Sequence, residues 1–318
     1  FRHHGEAALT ELHGRFAAAI VLTQTQEAWL ATDRFGIESL YLRADAHGLA
    51  WSTRLQALAD GARLDPQAVY DYVYFHCIAA PRTLYTGVYR LPAGHVLRWR
   101  PGQDAQLARY WRPDFAEDQA PADSAALVEE LRARLTQAVE RASHGAGTVG
   151  AYLSGGLDSS SVVATAAALR AEPLPTFSIG FDADGYDELP FARVVAAQFG
   201  TRAHEHYVTP QDVLDSLPVL AAGYEQPFGN ASAIPAFQCA RLAREHGVDT
   251  LLAGDGGDEI FGGNARYAKQ GRFERYGRLP RWLRRGLIEP LAVPLANRVP
   301  VFGKLGSYVK QARIPLPA

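Results

Sequence analysis

Thr148-Val-Gly-Ala-Tyr-Leu153, followed by Ser154-Gly155-Gly156-Leu157-Asp158-Ser159-Ser160, decides how this chain is read. An apolar, strand-like run enters a Gly-Gly turn, and the turn opens a helix predicted over Ser159–Leu169. Glycines at such a turn let backbone N–H groups approach an anion closely, and the helix N-terminus behind them adds a positive dipole. The hydroxyls of Ser154, Ser159 and Ser160 supply further donors, so the stretch reads as a cradle for pyrophosphate. Asp158 then fits as a ligand of Mg²⁺, a hard cation that takes carboxylate and phosphate oxygens together. No Gly-Lys-Ser/Thr follows, which excludes a Walker A loop. Taken alone, the same residues also describe a Gly-rich turn whose Asp and Ser act as helix caps.

Working outward, Ser124–Ser143 is predicted as a helix, with Leu127, Leu131, Leu135 and Val139 at spacing four. After the cradle come a strand at Pro175–Phe181, a helix at Asp187–Phe199 and a strand at Arg202–Val208. Helices at Pro210–Gly223 and Ile234–His246 lead to a fourth strand, Val248–Ala253. Strand–helix alternation predicts an α/β fold, a doubly wound parallel sheet that binds ligands at the carboxyl ends of its strands. The fourth strand runs into Ala253-Gly254-Asp255-Gly256-Gly257-Asp258-Glu259-Ile260-Phe261-Gly262-Gly263. Asp255, Asp258 and Glu259 repel one another at short range, and a metal–triphosphate complex would relieve that repulsion. A polar surface loop with capping acids is the bland reading of this motif too. Two such loops at equivalent strand ends favour a shared nucleotide site.

The front of the chain has a different rhythm. Arg15–Leu22, Glu27–Ala31, Ser39–Arg43 and Gly48–Ser52 are short strand-like runs separated by polar turns, the pattern of an antiparallel meander. A helix begins at Asp65-Pro66, with Val69, Tyr72, Val73 and Phe75 as its apolar stripe, and Leu91–Trp99 reads as a turn into another strand. Residues 113–123, rich in Pro, Asp and Ala, read as a linker between a domain at 1–112 and one at 124–318. The tail from Gly271 is basic, with helical pieces around Leu279–Leu291.

Net charge is −2 without a block of like charge, which argues against nucleic acid as a partner. There is no run of about 18 apolar residues, which argues against a membrane span. Cys77 and Cys239 cannot build a disulfide framework; they fit a reducing, cytoplasmic setting, each read as a small buried hydrophobe. His204 and His206 alternate along a strand and read as ordinary strand histidines rather than zinc ligands. The chain has no methionine, begins Phe1-Arg2-His3-His4 and shows no signal-peptide pattern, so it reads as a fragment.

Together, the Ser-Gly-Gly-Leu-Asp-Ser-Ser and Gly-Asp-Gly-Gly-Asp-Glu-Ile-Phe-Gly-Gly motifs resemble the glutamine-hydrolysing asparagine synthetase family. Pro175–Phe181 and Glu225-Gln-Pro-Phe-Gly-Asn-Ala-Ser-Ala-Ile-Pro235 look like its second strand and helix-linking loop. Leu12–Ala19, Asp33–Tyr41 and Leu91–His95 resemble the later strands of its glutaminase domain. The resemblance implies an ATP-pyrophosphatase domain, similar to the adenine nucleotide alpha hydrolases, preceded by the remainder of an Ntn-type α+β glutaminase domain. It implies ATP with Mg²⁺, activation of aspartate as a β-aspartyl-adenylate, and attack by ammonia drawn from glutamine; a homodimer is a candidate assembly that the sequence does not specify. Carried over by position, Leu153, Ile179, Ala253 and Gly254 line the nucleotide. Ser154, Gly155, Gly156, Leu157, Asp158, Ser159 and Ser160 hold the pyrophosphate, Asp158 and Asp258 bind Mg²⁺, and Asp255 takes the place of an acid important for adenylation, often Glu in the family.

Three departures accompany the resemblance. The family's nucleophile is an amino-terminal cysteine, whereas residue 1 is Phe and both cysteines stand in other contexts, so nothing in this stretch matches it. The family's transition-state lysine has no match at Lys269 or Lys304 and is expected beyond Ala318. Glu225-Gln226 stands for the usual acidic pair in a loop that the resemblance sets near the amino-acid substrate. Related adenylating enzymes that close β-lactam or lasso-peptide amides, or modify polysaccharide, are the alternative reading, and a non-catalytic homologue is a third.

Overall fold

Short apolar runs broken by polar turns dictate hairpins at the front of the chain. The computed structural model describes residues 1, 4–44, 48–114, 123–182, 185, 187–263, 265–290 and 303–313. A short helix, α1 (Ala7–Glu11), precedes β1 (Ala17–Leu22) and β2 (Glu27–Thr32). After these come β3 (Tyr41–Ala44), β4 (Leu49–Ser52), β5 (Tyr89–Arg90), β6 (His95–Trp99) and β7 (Gln106–Arg109). They form two antiparallel sheets, ordered β1-β2-β6-β7 and β4-β3-β5. Leu30 and Leu97 of the first sheet cluster with Leu42 of the second, so the two pack through their apolar faces. β1 starts later than the expected Arg15, because Phe16 is held by Asp33: its N–H donates to the carboxylate and its carbonyl accepts from the Asp33 N–H.

Asp65 caps α2 (Pro66–Phe75) by accepting from the Gln67 N–H at 2.9 Å, and Pro66 supplies the preset φ of the first turn. The expected stripe stays largely outside the core, with Tyr72 half-buried. Val73 is 69% exposed and Phe75 61%, while Ala68 is the buried residue of the helix. The helical spacing was legible there; which face turns inward was not.

The second half follows the alternating pattern. α3 (Ser124–Ser143) leads to β8 (Val149–Tyr152), α4 (Leu157–Ala168), β9 (Pro175–Phe181), α5 (Leu189–Phe199) and β10 (Arg202–Val208). Next come α6 (Pro210–Gly223), α7 (Ala233–Glu245) and β11 (Thr250–Leu252). The four strands are parallel in the order β10-β9-β8-β11. The order reverses at β8, so the crevice beyond the carboxyl ends of β8 and β11 is the topological switch point of a doubly wound sheet. Val139, Val163, Ala166, Ala192 and Ala196 from α3, α4 and α5 cover one face with Ala151 and Leu153. Cys239 and Ala243 of α7 cover the other with Phe177 and Val248. In α3 only the later positions join this core: Leu127 and Leu131 stay exposed. Thr209 and Asp212 close a capping box at α6, with the Asp212 N–H on the Thr209 hydroxyl at 3.1 Å.

By compactness the chain divides into two units, Phe1–Gly156 with Val162–Leu252, and Leu157–Ser161 with Ala253–Ala318. The second contains α8 (Gly257–Phe261), α9 (Ala265–Gly277), helical turns at Arg281–Leu283 and Arg284–Ile288, and a helix at Gly303–Ala312. Tyr276 and Val309 are its buried centre, with Ile288, Tyr308 and Ala312 packed on them. Residues 115–122 of the expected linker and the side chains of Lys269 and Lys304 lie outside the described residues. Among the described residues no helix is long and apolar enough to cross a membrane.

Candidate nucleotide site

At the end of β8 the chain must turn sharply into α4, and the residues there explain how. Gly155 has φ +81°, and a Cβ on it would lie 2.5 Å from Phe191 Cβ and 2.6 Å from the Ala192 nitrogen. Only glycine meets both the conformation and the clearance. The Ser154 hydroxyl accepts from the Gly156 N–H at 3.2 Å, which fixes the turn. Gly156 is the N-cap of α4 and offers no side-chain acceptor to the first-turn N–H groups.

The second unit brings the two expected loops into contact. A Cβ on Gly254 would lie 2.7 Å from the Ser159 nitrogen and 2.9 Å from Asp158 Cβ. A Cβ on Gly257 would meet the Asp158 carboxyl carbon at 2.4 Å. The glycines of the acidic loop therefore exist to let its backbone lie directly on the first turn of α4, with Asp158 between them. Asp258 is tied to its own loop's end: the Gly263 N–H donates to the Asp258 carbonyl at 3.1 Å. Asp255, Asp258 and Glu259 are exposed, and Asp158 is half-buried. The Ser160 hydroxyl is buried and makes no hydrogen bond among the described residues, a donor in want of an acceptor beside the cradle. Among the described residues no group of three or more His, Cys, Asp or Glu side chains is arranged to hold a metal ion. The chemistry of the carboxylates and the orphaned hydroxyl fit a metal–phosphate complex that completes its own coordination with phosphate oxygens.

The remaining expected residues differ in exposure. Leu153 is 2% exposed and packs in the α3–α4–α5 core; its carbonyl accepts from the Ser178 hydroxyl at 2.6 Å and its N–H donates to the Phe177 carbonyl. Ile179 packs partly buried against the α7-side core. Both thus help set the strand ends through packing. Leu157 is 83% exposed, and Ala253 is exposed. Cys239 is buried, which pushes its thiol up to about 12, but Cys77 is exposed, against the expectation for it. His204 stacks on Phe177 at 5.0 Å, and burial, helped by His246 and Arg202, lowers its pKa. His206 Nε2 lies 3.2 Å from the Asp212 carboxylate.

Glu225 and Gln226 do something the sequence did not disclose. Glu225 accepts from the Leu55 N–H at 2.6 Å and Gln226 from the Leu84 N–H at 3.0 Å, so both side chains are engaged with the front half of the chain. Nothing in the local sequence signals these partners, which lie 170 and 142 positions away.

Comparison with known proteins agrees with this architecture. A family model described as a glutamine amidotransferase domain matches residues 1–111, and one described as Asparagine synthase matches residues 130–312. A putative glutamine-hydrolysing asparagine synthetase of Mycobacterium tuberculosis is 33% identical over 297 residues, covering 90% of this chain and 45% of its own length. Asparagine synthetase [glutamine-hydrolyzing] 1 of Bacillus subtilis is 29% identical, covering 92% of this chain and 46% of its own length. The chain thus spans less than half the length of these curated relatives. Among solved structures, glutamine-dependent NAD+ synthetase from Acinetobacter baumannii in complex with ADP aligns at 15% identity and a TM-score of 0.32, over 82% of this chain and 64% of that one. Since the Asparagine synthase model covers more than half of its residues, the chain belongs to the asparagine synthase family.

Proposed function

We propose that the full-length protein amidates aspartate to asparagine, using ATP to activate the carboxylate as a β-aspartyl-adenylate and glutamine as the source of ammonia. The observation that carries this reading is the interlock of the acidic loop with the first turn of α4, with Gly254 and Gly257 laid against Ser159 and Asp158. The aspartate side chain attacks the α-phosphorus of ATP and pyrophosphate leaves; ammonia then attacks the acyl carbon and AMP leaves. In this reading the N-terminus of α4 and the Ser160 hydroxyl receive the pyrophosphate as its charge develops. Asp158 and Asp258 would hold Mg²⁺, which supplies charge neutralisation to the phosphates. Asp255, on the acidic loop three residues before Asp258, would act in the adenylation step. The protein's share of the rate is mainly positioning two substrates in line.

The amidotransferase match over residues 1–111 supports glutamine as the nitrogen donor. The test is pyrophosphate release by the full-length protein with ATP, aspartate and either ammonia or glutamine. The expected outcome is aspartate-dependent release that Asp255→Ala suppresses while the fold survives. Release that ignores aspartate but follows another carboxylic acid would move the substrate; release unchanged in Asp255→Ala would remove that residue from the step.

A further inference from the structure

The loop leaving α6 reaches back to the first half of the chain through side chains that the proposed reaction does not use. Leu55 opens the 3₁₀ turn Leu55–Leu58, whose N-cap is Arg54, a residue with no side-chain acceptor. The first N–H of that turn therefore needs an acceptor from elsewhere. Glu225 provides it, with Oε2 2.6 Å from the Leu55 nitrogen and Oε1 3.4 Å from Arg54 Nε. Gln226 repeats the arrangement one residue on, its Oε1 accepting from the Leu84 N–H at 3.0 Å. The Leu84 carbonyl accepts in turn from the N–H of Asp65, the residue that caps α2. A third link is backbone only: the Gly229 N–H donates to the His76 carbonyl at 2.9 Å, and a Cβ on Gly229 would lie 2.8 Å from His76 Cβ.

The two regions belong to one compact unit. Among the described residues no apolar cluster contains members from both the front sheets and the parallel sheet. Beside the links lies a cavity of about 580 Å³, lined by Gln56, Tyr72 and Leu84 on one side and Tyr224, Phe228 and Ile234 on the other. At a cavity-flanked junction without a shared apolar cluster, side-chain caps on backbone N–H groups carry more of the local order.

We propose that Glu225 and Gln226 form a clasp by which the synthase half caps two backbone N–H groups of the amidotransferase half, coupling the α6–α7 loop to the Arg54–Leu58 and Thr83–Tyr85 segments. The clasp stands on geometry alone; its use in matching glutamine consumption to amide formation rests on the function proposed above.

Hydrogen exchange on the full-length protein tests the clasp. In the double variant Glu225→Ala with Gln226→Ala, the Leu55 and Leu84 amides should exchange about tenfold faster or more, with the parallel-sheet amides unchanged. Gln226→Glu keeps an acceptor oxygen and should keep the Leu84 amide slow. Parent-like exchange at both amides in the double variant overturns the clasp, as does a fast Leu84 amide in Gln226→Glu. For coupling, the ratio of glutamine-driven to ammonia-driven pyrophosphate release should fall at least about fivefold in the double variant, on the scale of one lost hydrogen bond. An unchanged ratio overturns coupling. A parent protein with neither activity defeats the proposed reaction instead, and the exchange result then decides the clasp by itself.

Discussion

Asp33 and Asp158 are the same side chain in opposite circumstances. Asp33 is 1% exposed, and its carboxylate accepts from the backbone N–H groups of Phe16, Phe35, Ile37 and Glu38. Burial alone would raise its pKa, but those four donors outweigh it and hold the carboxyl below its ordinary value. Asp158 is pressed between the glycines of the acidic loop and has no such set of donors among the described residues. The first carboxylate is consumed by the fold; on the function proposed above, the second serves the nucleotide's metal. An acid's role is therefore told by where its lone pairs go more than by its burial or its neighbours in sequence.

The largest effect that would break this contrast is on the acidic loop. Asp258→Ala should reduce Mg-ATP-dependent pyrophosphate release by about 10³-fold or more, with the far-UV spectrum and urea midpoint near the parent's. Asp33→Ala should do the converse. It strands four backbone N–H groups, so urea denaturation should show a loss of about 3 kcal/mol, with turnover of the remaining folded protein retained. The sign of its pH dependence follows from the lowered pKa. The stabilisation is complete above the ordinary carboxylate value of 3.8 and is lost as pH falls through the folded value, so the stability gap between parent and variant should close in acid.

Smaller changes sharpen the comparison. Gly257→Ala puts a Cβ 2.4 Å from the Asp158 carboxyl carbon, whereas one on Gly156 meets nothing nearer than the Ser154 hydroxyl at 3.3 Å. Gly257→Ala should therefore lower pyrophosphate release by about 10- to 100-fold, and Gly156→Ala should cost far less, both followed by the same release assay. The smallest expected effect lies at α6. Thr209→Ala removes half of the capping box and should cost about 1 kcal/mol in thermal or urea unfolding, without touching the release rate per folded molecule.

The parallel sheet was the most legible part of the chain because it is patterned locally. Pro175–Phe181, Arg202–Val208 and Pro210–Gly223 run between the residues the sequence suggested, since glycines, prolines and caps mark their ends. The turns at Gly155 and Gly256 were legible for a similar reason, since both glycines take the positive φ that a glycine accepts most readily. What was not legible depends on distant partners. The largely exposed stripe of α2, the core positions of Leu153 and Ile179 and the engagement of Glu225 and Gln226 are all set by residues far along the chain, which no local spacing reports. Cys77 illustrates the same limit, since burial is a property of the packed fold.

The most direct measurement of the central claim is ATP–pyrophosphate exchange by the full-length protein in the presence of aspartate and Mg²⁺, run beside Asp158→Ala. The account predicts exchange that requires aspartate in the parent and falls to background in the variant. Exchange in Asp158→Ala at the parent's rate would contradict it.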